Sequence, residues 1–333
     1  MRKLFLFFGP ALSLLLPLLL ASAAHAEMAT LKLGLPIACA IGKDCWVQQY
    51  PDHDPSGGVA DYACGTQTYD GHDGTDIRIH DTAAAADVIA AAAGTVKAVR
   101  DGVTDHLMLT PEDRKAVGNK ECGNGVLLVH GDGWETQYCH MRRGSVSVKA
   151  GDKVTAGTRL GEAGYSGMAA FPHVHLTVRK DGKSLDPFAM TGDQEKCGVG
   201  RTALWTDEAL AALTYAKGSL LRTGFAPGGV EIGALETGEQ KDAAFADDWP
   251  ALVAYGWAIN LSKGDAVTVT LTGPEGISAE NSVTLDRAKA QYLLFAGQKR
   301  PATGWPNGDY EGTVEIRNGP DIKPTATWIR RLE

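Results

Sequence analysis

From residue 75 to the C-terminus the chain consists of short apolar or alternating runs, each closed by a turn containing Gly, Pro or Asp. That punctuation leaves little room for long amphipathic helices and asks for strands joined by tight turns. In the first half the runs are Asp76 to Ile79, Asp87 to Ala90, Thr95 to Val99, Val126 to Val129, Glu135 to Tyr138 and His173 to Val178. Ala93-Gly94, Gly131-Asp132-Gly133 and Asp181-Gly182 mark turns between them. The alanine-rich stretch from Ala83 to Ala93 has helical propensity, but Val88, Ile89, Thr95 and Val96 around Gly94 favour strands joined by a turn. Residues 101–121, with Pro111, Glu112 and Asp113, read as a loop with one helical turn beside any groove, and 206–217 as a short helix or irregular connection. From about Val230 the segments VEIGAL, YGWAINL, DAVTVTLTG, AQYLLFAG and GTVEIRN predict a second set of strands in a sandwich-like arrangement. The fold class expected is all-β.

The first 26 residues, a basic head, an apolar stretch and a small-residue close ending at Ala26, read as a secretory signal peptide. Pro10 and Pro17, and an apolar run shorter than the ~20 residues of a membrane span, argue against a retained anchor. The mature chain is therefore expected to be exported, periplasmic or secreted, with no stable membrane insertion. Losing Arg2 and Lys3 leaves 30 basic against 40 acidic side chains, which disfavours nucleic acid as a partner. The remaining length suggests a wrapping segment at 27–64, a first domain at 65–200, a linker at 201–219 and an accessory domain at 220–333.

Six cysteines, an even count in an exported chain, predict disulfides. Cys122 and Cys139 flank the hairpin turn at 131–133 and are expected to pair; for the other four the preferred pairing is Cys45 with Cys64 and Cys39 with Cys197.

Chemistry concentrates in three fragments, GHDGTD (71–76), YCH (138–140) and PHVH (172–175). Residues two apart in a strand share a face, so His173 and His175 point to one side while Val174 and Leu176 face the core. Gly71 and Gly74 permit a tight path that brings His72 and Asp76 onto one ion. Two imidazoles and one carboxylate, leaving a fourth position for water, are a usual composition of a catalytic zinc site. Taken singly, His72 and Asp76 suit a surface turn, His175 a satisfied core position and His140 cross-strand packing; their joint occurrence in ordered β segments favours the metal. His53, between Asp52 and Asp54, reads as a solvated acidic turn, and His80, His106 and His130 as structural. Tyr165, in the loop Gly164-Tyr165-Ser166-Gly167, is a candidate groove wall, and Trp257 and Trp305 are either exposed contacts or core.

Across about residues 65–190 the chain resembles the M23 peptidases, the lysostaphin-like or LytM-like family. The resemblance rests on GHDGTDI, GNGVLLVHGDGWETQYCHM, VKAGDKVTAGTRLGEAGYSG and PHVHLTVRKDGKSLDP, in family order. It implies a β-rich lysostaphin-like peptidase domain, with His72, Asp76 and His175 as Zn2+ ligands and His140 and His173 as catalytic imidazoles. It also implies a zinc endopeptidase acting on peptidoglycan stem peptides or cross-links. The departures are Cys139 immediately before His140 and the lengthened segment 101–121. The competing reading is a non-enzymatic cell-wall-binding or amidase-activating protein. The C-terminal domain offers no His or Cys and suits contact with the wall or another protein; a 27–200 fragment is expected to fold and hold the metal.

Overall fold

Period-two patterning is realised as strands. The computed structural model describes residue 1 and residues 31–189, 197–198, 203–240 and 245–333; the expected signal segment, Met1 apart, lies outside them. The first half supplies β1 (Ile37–Ala38), β2 (Cys45–Gln49), β3 (Thr75–Ile79), β4 (Asp87–Ile89), β5 (Gly94–Arg100), α1 (Pro111–Val117), β6 (Asn124–Val129), β7 (Trp134–Met141), β8 (Lys153–Val154), β9 (Arg159–Glu162), β10 (His173–Lys180) and β11 (Lys183–Leu185). The second half supplies α2 (Asp207–Ala212), β12 (Ser219–Ala226), α3 (Ile232–Thr237), β13 (Ala251–Leu261), β14 (Ala266–Thr272), β15 (Ser278–Thr284), β16 (Lys289–Lys299), β17 (Gly308–Asn318) and β18 (Asp321–Leu332). Among the described residues no helix is long and apolar enough to cross a membrane.

The main sheet runs β2-β3-β10-β7-β6-β5-β8, with β11 beside β10, and a small sheet β1-β4-β9 accompanies it. Alternation divides the central strands cleanly. Ile77 and Ile79 of β3 and Val174, Leu176 and Val178 of β10 enter the core, so Asp76, Arg78, His173 and His175 share the opposite face. Leu204, Trp205, Ala209 and Leu213 pack into the same core, and Leu33 bridges Trp205.

The C-terminal half is a sandwich of β12-β13-β16 against β15-β14-β17-β18, as its runs predict. Leu252, Ala254 and Ala258 face Val269, Leu271 and Val314 across it. Tyr255, Trp257 and Ile259, on the other side of β13, pack with Leu221, Leu235 and Trp46 of β2. Burial on both faces explains why YGWAINL is apolar without alternation. Trp257 and Trp305 are core, 0% and 6% exposed.

Three expectations are corrected. VEIGAL does not form a strand: Ile232–Thr237 is a helical turn, ended by Gly238 in the left-handed conformation (φ 73°), because Leu235 and Glu236 are drawn into the seam between the halves. The segment at 27–64, expected to wrap the first domain, also supplies strands to its sheets, the two-residue β1 and the fully buried β2. Cys122 pairs with Cys139 as expected, but the others pair Cys39–Cys45 and Cys64–Cys197. The turn at Gly42, whose N–H reaches the Cys45 carbonyl at 2.7 Å, brings Cys39 and Cys45 together locally.

Candidate metal centre and its imidazoles

His72, Asp76 and His175 converge, their ligand atoms all within 4.8 Å of one another. Asp76 of β3 lies directly opposite His175 of β10 in register, and His72 returns from the turn that opens β3. Asp76 Oδ1 is 2.8 Å from His175 Nδ1 and 3.3 Å from His72 Nε2. Gly74 is required for this approach: a Cβ there would lie 2.5 Å from His175 Nε2 and 2.7 Å from the Leu176 carbonyl.

Each ring is fixed by its second nitrogen. His72 Nδ1 donates to the Tyr50 carbonyl at 2.7 Å, leaving Nε2 as a lone pair toward the cluster. His175 turns the other way, its Nε2 2.9 Å from Thr177 Oγ1 and 3.4 Å from Asp73, which frees Nδ1. Burial disfavours charge on His175, yet its hydrogen bonds to Asp73 and Asp76 hold its pKa up at about 9. Burial likewise opposes charge on Asp76, but the imidazoles of His72 and His173 and the hydrogen bond from His175 keep its carboxyl well below the usual range. A cation among these donors satisfies the carboxylate and displaces the His175 proton, so the donor set fits a metal ion.

His140 and His173 stand beside the cluster, ring centroids 4.6 Å apart, and His173 Nε2 is 3.6 Å from Asp76 Oδ1. His140 Nδ1 donates to the Ser166 carbonyl at 2.8 Å and His173 Nδ1 to the Phe171 carbonyl at 2.7 Å, so both present Nε2. Burial lowers both pKa values, and the neighbouring His173 and His175 push His140 further down. His140 is held with φ at +61°, a left-handed conformation that costs a non-glycine residue about 1–2 kcal/mol. The Cys122–Cys139 bond and the His140 N–H to Cys122 carbonyl hydrogen bond, 2.8 Å, keep it there.

The model of peptidase family M23 matches residues 70–187, which contain all five of these side chains. Residues 70–187 form an M23-family peptidase domain. Over 64 residues the chain is 34% identical to the peptidoglycan DD-endopeptidase ShyA of Vibrio cholerae, covering 19% of this chain and 14% of that protein. Over 102 residues it is 33% identical to the DD-carboxypeptidase/endopeptidase Mpg of Neisseria meningitidis, covering 30% and 21% respectively. The chain thus spans about a fifth or less of the length of these relatives. Among solved structures, the catalytic domain of the antimicrobial peptidase lysostaphin from Staphylococcus simulans aligns at 23% identity and a TM-score of 0.27, over 42% of this chain and 85% of that one.

Within the M23 domain the structure brings together every residue singled out from sequence as ligand or catalyst. It adds Asp73, Thr177 and the carbonyls of Tyr50, Ser166 and Phe171, which set the tautomers. Thr177 continues the His173, His175 alternation and was legible on that ground; a backbone carbonyl carries no residue identity and was not. The loop at Tyr165 serves the site through Ser166, whose Oγ also ties the Asn124 N–H and the Met141 carbonyl. His53 is corrected: it is 4% exposed and bonded to Asp186 at 2.7 Å, not solvated. Segment 101–121 carries α1 as expected, with the Met108 N–H on the Ala169 carbonyl at 2.9 Å.

Proposed function

We propose that the chain is an exported zinc metalloendopeptidase hydrolysing peptide bonds in peptidoglycan stem peptides or cross-links. One observation carries the chemistry: a cluster of two imidazoles and a carboxylate lies beside two further buried imidazoles, each locked with Nε2 open. The substrate class is supported by the relatives named as peptidoglycan DD-endopeptidase and DD-carboxypeptidase/endopeptidase.

In this reading His72 Nε2, Asp76 and His175 Nδ1 hold the metal. Zinc bound there supplies Lewis acidity toward a carbonyl oxygen or water. His140 and His173 manage protons. Burial keeps both neutral, so each begins as an acceptor at Nε2. One takes the proton of the attacking water and, once charged, its Nε2–H can return that proton to the departing amine; the other, its Nε2 equally open, accepts a hydrogen bond from the same water and helps to orient it. The fixed Nδ1–H bonds stop either ring from turning its wrong nitrogen to the groove. The peptidase domain is assigned to 65–200, with β2 from the 27–64 segment in its main sheet and Leu204 and Trp205 from 201–219 in its core, and the 220–333 domain acts as an accessory contact for wall or protein.

The test is elemental analysis of the purified mature chain together with mass spectrometry of cross-linked muropeptides incubated with it. About one zinc per chain and chelator-sensitive cleavage are expected. A zinc-loaded chain that cleaves no wall peptide of any cross-link type replaces the enzyme by a binding protein.

A further inference from the structure

The seam between the two halves holds a cavity of about 870 Å³ that no ligand or catalytic side chain of the peptidase site lines. Junctions of this kind are common places for ligands. Two features separate it from an ordinary surface hollow. Gln49 and Asn260, 6% and 4% exposed, both line it, and Gln49 Oε1 and Asn260 Oδ1 have no hydrogen-bond partner among the described residues. A buried acceptor left unpaired forfeits the hydrogen bonds it would make in water, so native structures rarely keep one without a donor arriving from elsewhere. Asn260 is also held at φ +59°, a conformation asparagine tolerates better than most residues, while its Nδ2 donates to the Val47 carbonyl and Gln67 Oε1 at 3.0 Å each. Its amide is thereby clamped, and Oδ1 cannot exchange places with Nδ2 without losing both bonds.

Charge is the second feature. On a chain of formal charge −8, this cavity is lined by Lys217, Lys263, Arg287 and Lys289, none with an ion-pair partner among the described residues. The fifth cation, Lys323, is committed to buried Asp265 at 2.6 Å. Asp286 and Asp321 are the acidic residues in the lining, so the free cations outnumber the acids. A ligand complementary to this wall carries negative charge for the rim and N–H or O–H donors for the two amide oxygens.

We infer that the seam cavity is a binding site for a carboxylate-bearing glycopeptide segment of the wall, separate from the hydrolytic groove. Carboxylates meet the lysines and Arg287, and sugar hydroxyls or peptide amides donate to Gln49 and Asn260. The choice of a wall segment over another carboxylated molecule rests on the proposed function; the anionic, donor-bearing class rests on the cavity alone.

The experiment uses the full mature chain and a soluble disaccharide-tetrapeptide wall fragment, with binding read by calorimetry at low and at physiological salt. Parent protein is expected to bind and to weaken as salt rises. Lys263→Glu with Arg287→Glu is expected to weaken binding about tenfold or more and flatten the salt response, while cleavage of a short cross-linked peptide persists. Lys43→Glu with Lys115→Glu, an equal charge change away from the cavity, is expected to bind as the parent does. The inference is overturned if the parent does not bind the fragment, if the Lys263/Arg287 variant binds undiminished, or if the control pair loses as much. Equal binding of a fragment with its carboxylates amidated, or preference for a phosphodiester polymer, overturns it as well. Failure of the proposed function looks different: the parent cleaves no wall peptide, yet fragment binding still follows Lys263 and Arg287.

Discussion

Asp76 and Arg78 lie two apart on one strand, point to the same face, and are both buried, at 3% and 0% exposure, yet they stand in opposite situations. Arg78 is answered completely by protein. It donates to Gln48 Oε1 at 2.8 Å, to Glu236 Oε2 at 2.9 Å and to the carbonyls of Ile79 and His80 at 3.3 Å, with the rings of Phe171 and Trp257 packed against it. Around Asp76 three imidazoles crowd one carboxylate, and the ring nitrogens that remain open face one another. A buried polar network that closes on itself is architecture; one that is crowded and unfinished is built to receive something. The C-terminal half supplies the closure, since Glu236 and Trp257 both come from it.

The largest effects are expected on the unfinished side. His140→Ala or His173→Ala should leave zinc bound and reduce hydrolysis of a cross-linked peptide by something like 10²–10⁴-fold. His72→Ala, Asp76→Ala or His175→Ala should instead lower zinc per chain, because each removes one of three protein donors. Zinc content and initial rates measured on the same folded preparations separate the two groups. Near-normal turnover by both His140→Ala and His173→Ala removes the proposed mechanism.

On the finished side the effect is on stability. Burial lowers the Arg78 pKa and raises that of Glu236 despite their attraction, so desolvation outweighs pairing for both partners. Glu236→Ala should cost about 3–5 kcal/mol in urea unfolding by stranding the guanidinium, whereas Arg78→Met with Glu236→Leu should recover most of it. Truncation after Gly200 strands Arg78 too, and also removes Leu204 and Trp205 from the first core. That fragment is now expected to lack native circular dichroism; a folded, zinc-holding 27–200 fragment makes the seam dispensable.

The same contrast shows what the sequence reveals. The His72, Asp76 and His175 cluster was legible because its chemistry sits in short motifs and the shared facing of His173 and His175 follows strand periodicity, whereas catalytic roles for His140 and His173 came only with the M23 resemblance. Arg78 and Glu236 were not legible, since they are 158 positions apart and nothing local marks either as a partner of the other. VEIGAL misled because six residues fit a strand or a helical turn equally well, and packing of Leu235 into the seam decided. For the same reason Cys122–Cys139, which spans one hairpin, was predictable, whereas Cys64–Cys197, 133 residues apart, depends on how the whole domain closes.

The Cys122–Cys139 bond touches both sides of the comparison, being structural itself but adjacent to His140. Cys122→Ala with Cys139→Ala should cost about 3 kcal/mol through the opened loop in the chain-entropy account. It should also lower kcat more than KM changes, because His140 loses part of what holds its left-handed backbone. Stability lost with kcat intact would show that the Ser166 carbonyl alone positions the ring.

The smallest effect is expected where a polar cluster is neither buried nor open, at the start of α1. There Asp113 accepts from His106 Nε2 at 2.7 Å, from Thr110 Oγ1 at 2.8 Å and from the Thr110 N–H at 2.9 Å, while Thr110 Oγ1 caps the Asp113 N–H at 3.2 Å. The His106 hydrogen bond, followed by those of Thr110, lowers the Asp113 pKa to about 2. A carboxyl whose folded pKa lies below its unfolded value, ~3.9, contributes stability that is complete above that value and is lost as pH falls toward 2. Water surrounds this cluster, so the global unfolding midpoint should hardly move when it is lost. Local opening should respond instead. Between pH 5 and 2 the amides of Asp113 and Arg114 should lose exchange protection while those of β10 keep theirs, and Asp113→Asn should produce the same local loss already at pH 6. A carboxyl titration of Asp113 centred near 4, or unchanged exchange in Asp113→Asn, would mean that the capping box does not persist in solution. Retention of the full pattern would rank the three clusters by what surrounds them, with closure by protein governing stability, an open donor set governing chemistry, and exposure to water leaving only local order.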